Sequence, residues 1–199
     1  MRLFIAVSLP SEVRDRLQRD GGALRAASLP VRWVSSEALH LTLKFLGEVA
    51  ETRLAEIEGA MTRVAGEVAP FQLELRGLGA FPNVRNPRVI WVGVQAPPEL
   101  ARLAAGLEEG MAGLGFPRED RPFSAHLTLG RAERAARAGD FRPLAGLVAD
   151  FPFRAEVEAR SADLMRSHLS PRGARYERVL AAPLAGPPPR GSLPGYTGQ

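Results

Sequence analysis

The chain has 199 residues, 26 Lys and Arg against 22 Asp and Glu for a net charge of +4, 45% hydrophobic residues and no cysteine. That length and apolar content suit one domain of two lobes or two small domains, with a sizeable core. Without cysteine, disulfides, thiol nucleophiles and cysteine-ligated zinc are excluded. No apolar run approaches the roughly 20 residues needed to span a bilayer, so a soluble, cytoplasmic chain without membrane association is expected.

In chain order, Leu3 to Ser8 reads as a buried strand, stopped by Pro10-Ser11. Val13, Leu17 and Leu24 share a helical face, predicting a helix over about 12–26. Val31 to Val34 is a second strand, and Leu39 to Leu46 a third, closed by Gly47. Leu54, Ile57, Met61, Val64 and Val68 recur at helical spacing, predicting a helix over 51–68. Phe71, Leu73 and Leu75 alternate with polar residues, a half-buried strand. The glycine-rich stretch from Gly77 to Asn83 reads as a turn-rich connection, followed by a loop through Arg88.

Val89 to Val94 is the next strand. Pro97-Pro98 opens a helix whose stripe runs from Leu100 to Leu114. Phe123 to Leu129 is a strand stopped by Gly130, and a short helix is predicted over 141–148. Phe153 to Met165 reads as one long strand. It is joined through a loop over 167–173 to an antiparallel partner, Tyr176 to Leu184. From Ala185 to Gln199 the chain is rich in Pro and Gly and reads as a flexible tail. The expected architecture is α+β: 1–184 as a single bilobal domain with mostly antiparallel sheets and outer helices.

Two strings stand out: His40-Leu41-Thr42-Leu43 and His126-Leu127-Thr128-Leu129. The chain has three histidines, and two of them open these strings. Alternation puts His and Thr of each string on one face and the two leucines on the other. An imidazole titrates near neutral pH, so two of them on opposite sides of a phosphorus can divide acid and base work. The threonine hydroxyls can bond non-bridging phosphate oxygens. A lone His-x-Thr on a strand is more often structural; the duplication favours function. Zinc needs three or four ligands at suitable spacing, which two histidines and distant carboxylates do not supply. His168-Leu169-Ser170-Pro171 matches only superficially, and His168 reads as an exposed loop histidine.

Phe45 and Arg131 both stand five residues after their histidine. Strict alternation points them away from the site, unless Gly47 and Gly130 let the backbone turn. Arg131 could then clamp a phosphate and Phe45 stack on a base, against the alternatives of a solvated arginine and a core phenylalanine. Lys44 falls on the His40 face by parity, a secondary phosphate candidate. Trp33 and Trp91 read as core. The basic balance fits a phosphate or nucleic-acid ligand and equally a solvated arginine-rich surface.

The paired strings, with the amino-terminal Met1 to Val7, Arg32-Trp33-Val34, His40 to Gly47, Gly77 to Pro82, Arg88 to Trp91, Pro122 to Arg131 and Leu164 to Ser167, resemble the 2H phosphoesterase superfamily. Within it, the chain is similar to the RNA 2′,3′-cyclic phosphodiesterase (2′-5′ RNA ligase) family. It departs from the family in Ala125, where a proline often precedes the second histidine, and in the extra tail. The resemblance implies a pseudo-symmetric, two-lobed fold with a cleft between two antiparallel sheets. It implies hydrolysis of 2′,3′-cyclic phosphate RNA ends to 2′-phosphomonoesters, with His40 as proton donor and His126 as proton acceptor. Sequence alone does not orient that pair. Thr42 and Thr128 would hold the phosphate, with Arg131 and Phe45 as further substrate contacts. No metal, ATP or other cofactor is implied. The partners would be RNA ends, tRNA halves among them, or cyclic nucleotides, acting on a monomer, with 2′-5′ ligation as the reverse reaction. A nucleotide-binding module without chemistry, and a phosphodiesterase for small cyclic nucleotides, are the competing readings.

Overall fold

The computed structural model describes residues 1–170 and 173–187. The strands are β1 (Arg2–Ser8), β2 (Val31–Trp33), β3 (His40–Glu48), β4 (Phe71–Phe81), β5 (Val89–Gln95), β6 (His126–Ala132), β7 (Arg154–Ala159), β8 (Ser161–Ser170) and β9 (Gly173–Pro183). The helices are α1 (Ser11–Asp20), α2 (Gly22–Ala26), α3 (Leu54–Gly66), α4 (Pro98–Gly113) and α5 (Leu144–Ala149), with short 3₁₀ turns at Ser36–Ala38, Glu51–Arg53 and Ala138–Phe141. No helix among the described residues is long and apolar enough to cross a membrane.

The sheet order is β7-β4-β5-β6-β3-β1-β8-β9, with β2 paired to β6 over Gly130 to Ala132, beyond the contact with β3 at Leu127. Every pairing is antiparallel. The two halves, β9-β8-β1-β3 and β6-β5-β4-β7, meet through one residue pair, Leu41 opposite Leu127. The expected two sheets are therefore joined edge to edge along the two motif strands.

The connecting helices cross over. α4 links β5 to β6 but packs on β3 and on α3, which itself lies on β8 and β9. α1 links β1 to β3, yet Arg16 on it donates to the Arg154 carbonyl of β7 at 2.7 Å and stacks over Phe153. Each half thus lends its helix to the other, so the halves cannot separate without unpacking both. Gly106 makes this close: a Cβ there would meet Val64 of α3 at 2.8 Å.

Several expectations are corrected. The predicted helix over 12–26 breaks into α1 and α2 at Gly21-Gly22, where Gly21 leaves helical geometry. The predicted connection from Gly77 is instead the second half of β4. Gly77, at φ +70°, forms a bulge in the ladder to β5. Gly79 lies under the Trp91 ring, where a Cβ would come within 2.2 Å. Glycines within a strand serve bulges and close approach as readily as turns. The long strand predicted over 153–165 is two strands, broken at Arg160. β7 pairs with β4 and β8 with β1, so this break carries the chain from one half to the other. Strand β6 starts later than predicted and runs through Gly130 to Ala132.

His168 is a strand residue and not a loop residue, paired across from Arg175, and its Nε2 lies 2.9 Å from a Glu177 carboxylate oxygen. The flexible tail predicted from Ala185 begins with ordered contacts. Ala185 donates to the Ala65 carbonyl and Gly186 to the Val68 carbonyl, pinning this segment to the end of α3. The rest of the predicted tail, from 188, lies outside the described residues.

β2 docks on β6 because Gly130 has no side chain. A Cβ there would sit 2.4 Å from Val31 Cγ1 and 2.9 Å from Trp33 Cε3. Gly130→Ala is accordingly expected to cost about 1–3 kcal/mol by overpacking. Urea unfolding would show this as a lower midpoint at unchanged slope, and an unshifted midpoint would contradict the close docking.

Candidate active site

The central pairing does most of the placement. Leu41 and Leu127 are fully buried, with Leu43 and Leu129 nearly so. His40, Thr42, His126 and Thr128 are half-buried on the opposite, open face. The alternation read from the two strings therefore holds through both motifs. Continuing the antiparallel register from Leu41 and Leu127 sets His40 level with Thr128 and Thr42 level with His126. The histidines are thus diagonal across the strand pair. In regular antiparallel geometry such diagonal residues lie roughly 7–8 Å apart, within reach of one small group between them.

Past each threonine the strands depart from alternation. On β3, Thr42 faces Ala6 and Lys44 faces Ile5, so Leu43 is an extra, unpaired residue. On β6, Thr128 faces Trp91 and Gly130 faces Ile90, so Leu129 is the extra residue. Both strings carry the same bulge at the same place. It sends two successive residues to the core side and returns Phe45 and Arg131 to the His/Thr side. Phe45 is 55% exposed and Arg131 is exposed. Both reach the site through a bulge inside the motif, and not through the turn at Gly47 or Gly130 that sequence reasoning invoked.

The bulge also corrects Lys44. Parity put it on the His40 face, but it is 1% exposed on the helical side. Its Nζ donates to Glu108 of α4 at 2.9 Å and to the Pro117 carbonyl at 2.6 Å. It ties the crossed-over helix to the motif strand and is not a phosphate ligand.

Both rings are held the same way. The Nδ1–H of His40 donates to the Ala38 carbonyl at 2.8 Å, and that of His126 to the Ser124 carbonyl at 2.7 Å. A carbonyl only accepts, so Nδ1 carries the hydrogen and Nε2 is the free nitrogen of each ring. Aromatic walls fix the ring planes. Phe4 lies 4.7 Å and Tyr176 5.0 Å from His40, while Phe81 lies 5.1 Å from His126, centroid to centroid. Sequence reasoning missed these walls. Phe4 sits in a run too uniformly apolar to show a period, and Tyr176 comes from the distant strand β9.

Two cavities flank the strand pair and share Thr42 and Phe45. One, of about 350 Å³, is lined by His40, Thr128, Arg131, Arg2 and Tyr176 among others. The other, of about 840 Å³, is lined by His126, Phe81, Arg88 and Phe123 among others. Trp33 and Trp91 pack over Gly130 and Gly79 rather than opening into either cavity. His168 lines neither cavity. Burial holds the His40 imidazole down at about 4. The Ala38 carbonyl opposes that shift, and the positive charge of Arg131 adds to it.

The profile of the LigT-like phosphoesterases matches residues 7–91 and again 92–176. The chain belongs to this family. The two matched repeats carry one motif strand each. A protein named RNA 2′,3′-cyclic phosphodiesterase from Archaeoglobus fulgidus is 40% identical over 179 residues, covering 89% of this chain and 97% of that one. Among solved structures, a Thermus thermophilus protein superimposes with a TM-score of 0.77 at 35% identity, covering 94% of this chain and 99% of its own. E. coli LigT complexed with 3′-AMP superimposes with a TM-score of 0.70 at 32% identity, covering 92% and 97%.

The His40 shift has a consequence for stability. Its folded value is depressed below the ordinary 6.5, so the unfolded chain binds the proton more tightly. The neutral ring's contribution is fully present above about pH 6.5 and is lost as pH falls through 4. Between pH 7.5 and 5 the loss is on the order of 2 kcal/mol. Urea unfolding of the wild type and of His40→Gln at both pH values measures it. The wild type should lose more stability than the variant by about that amount, and parallel losses would contradict the shift.

Proposed function

We propose that this cleft hydrolyses 2′,3′-cyclic phosphate ends of RNA to 2′-phosphomonoesters, through metal-independent acid–base catalysis by His40 and His126. The observation that carries the reading is the diagonal pair of rings. Each ring leaves its Nε2 free; His40 lines a cavity with Thr42, Thr128 and Arg131, and His126 lines the adjoining cavity, which shares Thr42. The named activity of the relatives and the 3′-AMP complex of E. coli LigT support the substrate class.

In this mechanism the cyclic phosphate sits between the motif strands. Thr42 and Thr128 donate to its non-bridging oxygens, and Arg131 pairs with its negative charge. His126 Nε2 takes a proton from water as the water oxygen bonds to phosphorus. The bond from phosphorus to the 3′-oxygen breaks, and His40 Nε2–H gives that oxygen its proton. Each transfer contributes on the order of 10²- to 10⁴-fold. Phe45, exposed at the boundary of both cavities, offers its face to a base. The same steps with an RNA 5′-hydroxyl in place of water, its proton taken by His126 and the 3′-oxygen leaving with the proton from His40, form a 2′-5′ bond.

His40 is neutral in the empty cleft at pH 7, so its proton must arrive with the substrate. A bound phosphate supplies the negative charge that favours the imidazolium and offsets Arg131. Substrate binding and proton uptake are then linked, and affinity weakens as pH rises above the free-site value of about 4.

The test is an oligonucleotide ending in a 2′,3′-cyclic phosphate, incubated in EDTA. A 2′-phosphate end is expected, with kcat lowered at least about 10²-fold in His40→Ala and in His126→Ala. Tight binding without product would identify a binding module instead. Calorimetric titration with the 2′-phosphate product near pH 6, in two buffers of different ionisation enthalpy, should show net proton uptake. Uptake that persists in His40→Gln would remove His40 as its carrier.

A further inference from the structure

We propose that Arg32 binds the phosphodiester preceding the cyclic phosphate, so that the site selects oligonucleotide ends over mononucleotides. This rests on the phosphodiesterase reading above and names the form of substrate that reading leaves open.

Arg32 lies on β2, directly across the ladder from Arg131 on β6. Its neighbours Val31 and Trp33 turn toward Gly130 on the core side. Arg32 and Arg131 therefore share the exposed face, and Arg131 lines the cavity that holds His40. The β2 edge is fixed on both flanks. Val34 N–H donates to the Leu129 carbonyl at 2.7 Å, and Glu133 N–H to the Pro30 carbonyl at 2.9 Å. The position of Arg32 is thus set by backbone bonds and by the missing Gly130 side chain.

Like charges directly opposed on an antiparallel pair are destabilising. Among the described residues, neither guanidinium forms an ion pair with a carboxylate. The other arginine lining that cavity, Arg2, stands opposite Glu48 in its ladder, whose carboxylate lies 3.5 Å from the Met1 amine. The Arg32–Arg131 pair therefore places two uncompensated positive charges side by side at the cavity that holds His40. Two guanidiniums one interstrand spacing apart, about 4.8 Å at the backbone, suit two separate anions better than one. A strand of RNA presents such anions in series. With the cyclic phosphate on Arg131, the next phosphate along the chain falls to Arg32. A mononucleoside 2′,3′-cyclic phosphate has no second phosphate and leaves Arg32 unused.

The experiment compares adenosine 2′,3′-cyclic monophosphate with the adenylyl-adenosine dinucleotide carrying the same cyclic end. The wild type should favour the dinucleotide in KM by about tenfold, the scale of one charge-assisted contact. In Arg32→Gln that ratio should collapse toward one, and Arg32→Lys should restore part of it. The salt dependence of dinucleotide binding should flatten by about 0.7 in logarithmic slope. The thermal midpoint of Arg32→Gln should hold or rise, because repulsion from Arg131 is relieved. Arg2→Gln should keep the length preference. Equal losses on both substrates, no loss on either, or collapse of the ratio in Arg2→Gln alone would overturn the assignment. If the wild type turns over neither substrate, the phosphodiesterase reading fails by itself. Calorimetric affinities of 2′-AMP and of the 2′-phosphate-ended dinucleotide for wild type and Arg32→Gln then judge Arg32 by the same ratio.

Discussion

The contact between Leu41 and Leu127 is the constraint on which the rest of the site depends. It is the ladder pair that joins the two halves of the sheet. Because the strands run antiparallel through it, each histidine faces the other strand's threonine, and the two rings become diagonal. A register slip of one residue would turn every polar side chain of one motif into the core. The two buried leucines of that motif oppose the slip, since both would be exposed by it. The apolar half of each string holds the polar half in place.

One pair of ladder residues is a small contact, and the crossed-over helices reinforce it. Lys44 shows how. Its ammonium is withdrawn from solvent and satisfied by Glu108 and the Pro117 carbonyl, so α4 and the segment after it are tied to the motif strand of the other half. Removing the lysine would leave Glu108 without its cation, and burying the cation without Glu108 would be costlier still. A charge buried in this way sets where an element sits more than how stable it is. Here it fixes the distance between the helix that precedes one histidine and the strand that carries the other.

Much of this was legible in the sequence, for physical reasons that differ by element. The two His-Leu-Thr-Leu strings are period-2 patterns flanked by apolar residues, and such patterns report local geometry directly. The stripes of α3 and α4 report theirs at helical period. Parity misled at Lys44, because a bulge inserts a residue without a glycine or proline to announce it. Leu43 is an ordinary strand residue, and the extra position is visible only against the partner strand. The glycines misled in the other direction. Gly77 and Gly79 look like a turn, but one accommodates a bulge and the other makes room for a tryptophan from β5. His168 was misplaced because a terminal Ser-Pro outweighed the preceding strand. The aromatic walls around the histidines come from strands remote in sequence, so no local pattern could reveal them.

The duplicated frame is not chemically symmetric, and the divergence between the two strings is where the asymmetry enters. Their first four residues are identical, as are their bulges and their carbonyl-held rings. The next two positions differ in kind. One string continues with Lys44 and Phe45, the other with Gly130 and Arg131. On the core side, lysine anchors a helix where glycine admits a strand. On the open side, a phenylalanine face stands where the other half has a guanidinium. Thus the same bulge that displays an aromatic surface on one strand displays a cation on the other, and only the second side gains the extra strand β2 with its own arginine. The depressed His40 ring lies on the cation's side, where Arg131 opposes its protonation until an anion arrives. A cation on one motif strand and an aromatic face on the other therefore break the symmetry of the scaffold at equivalent positions.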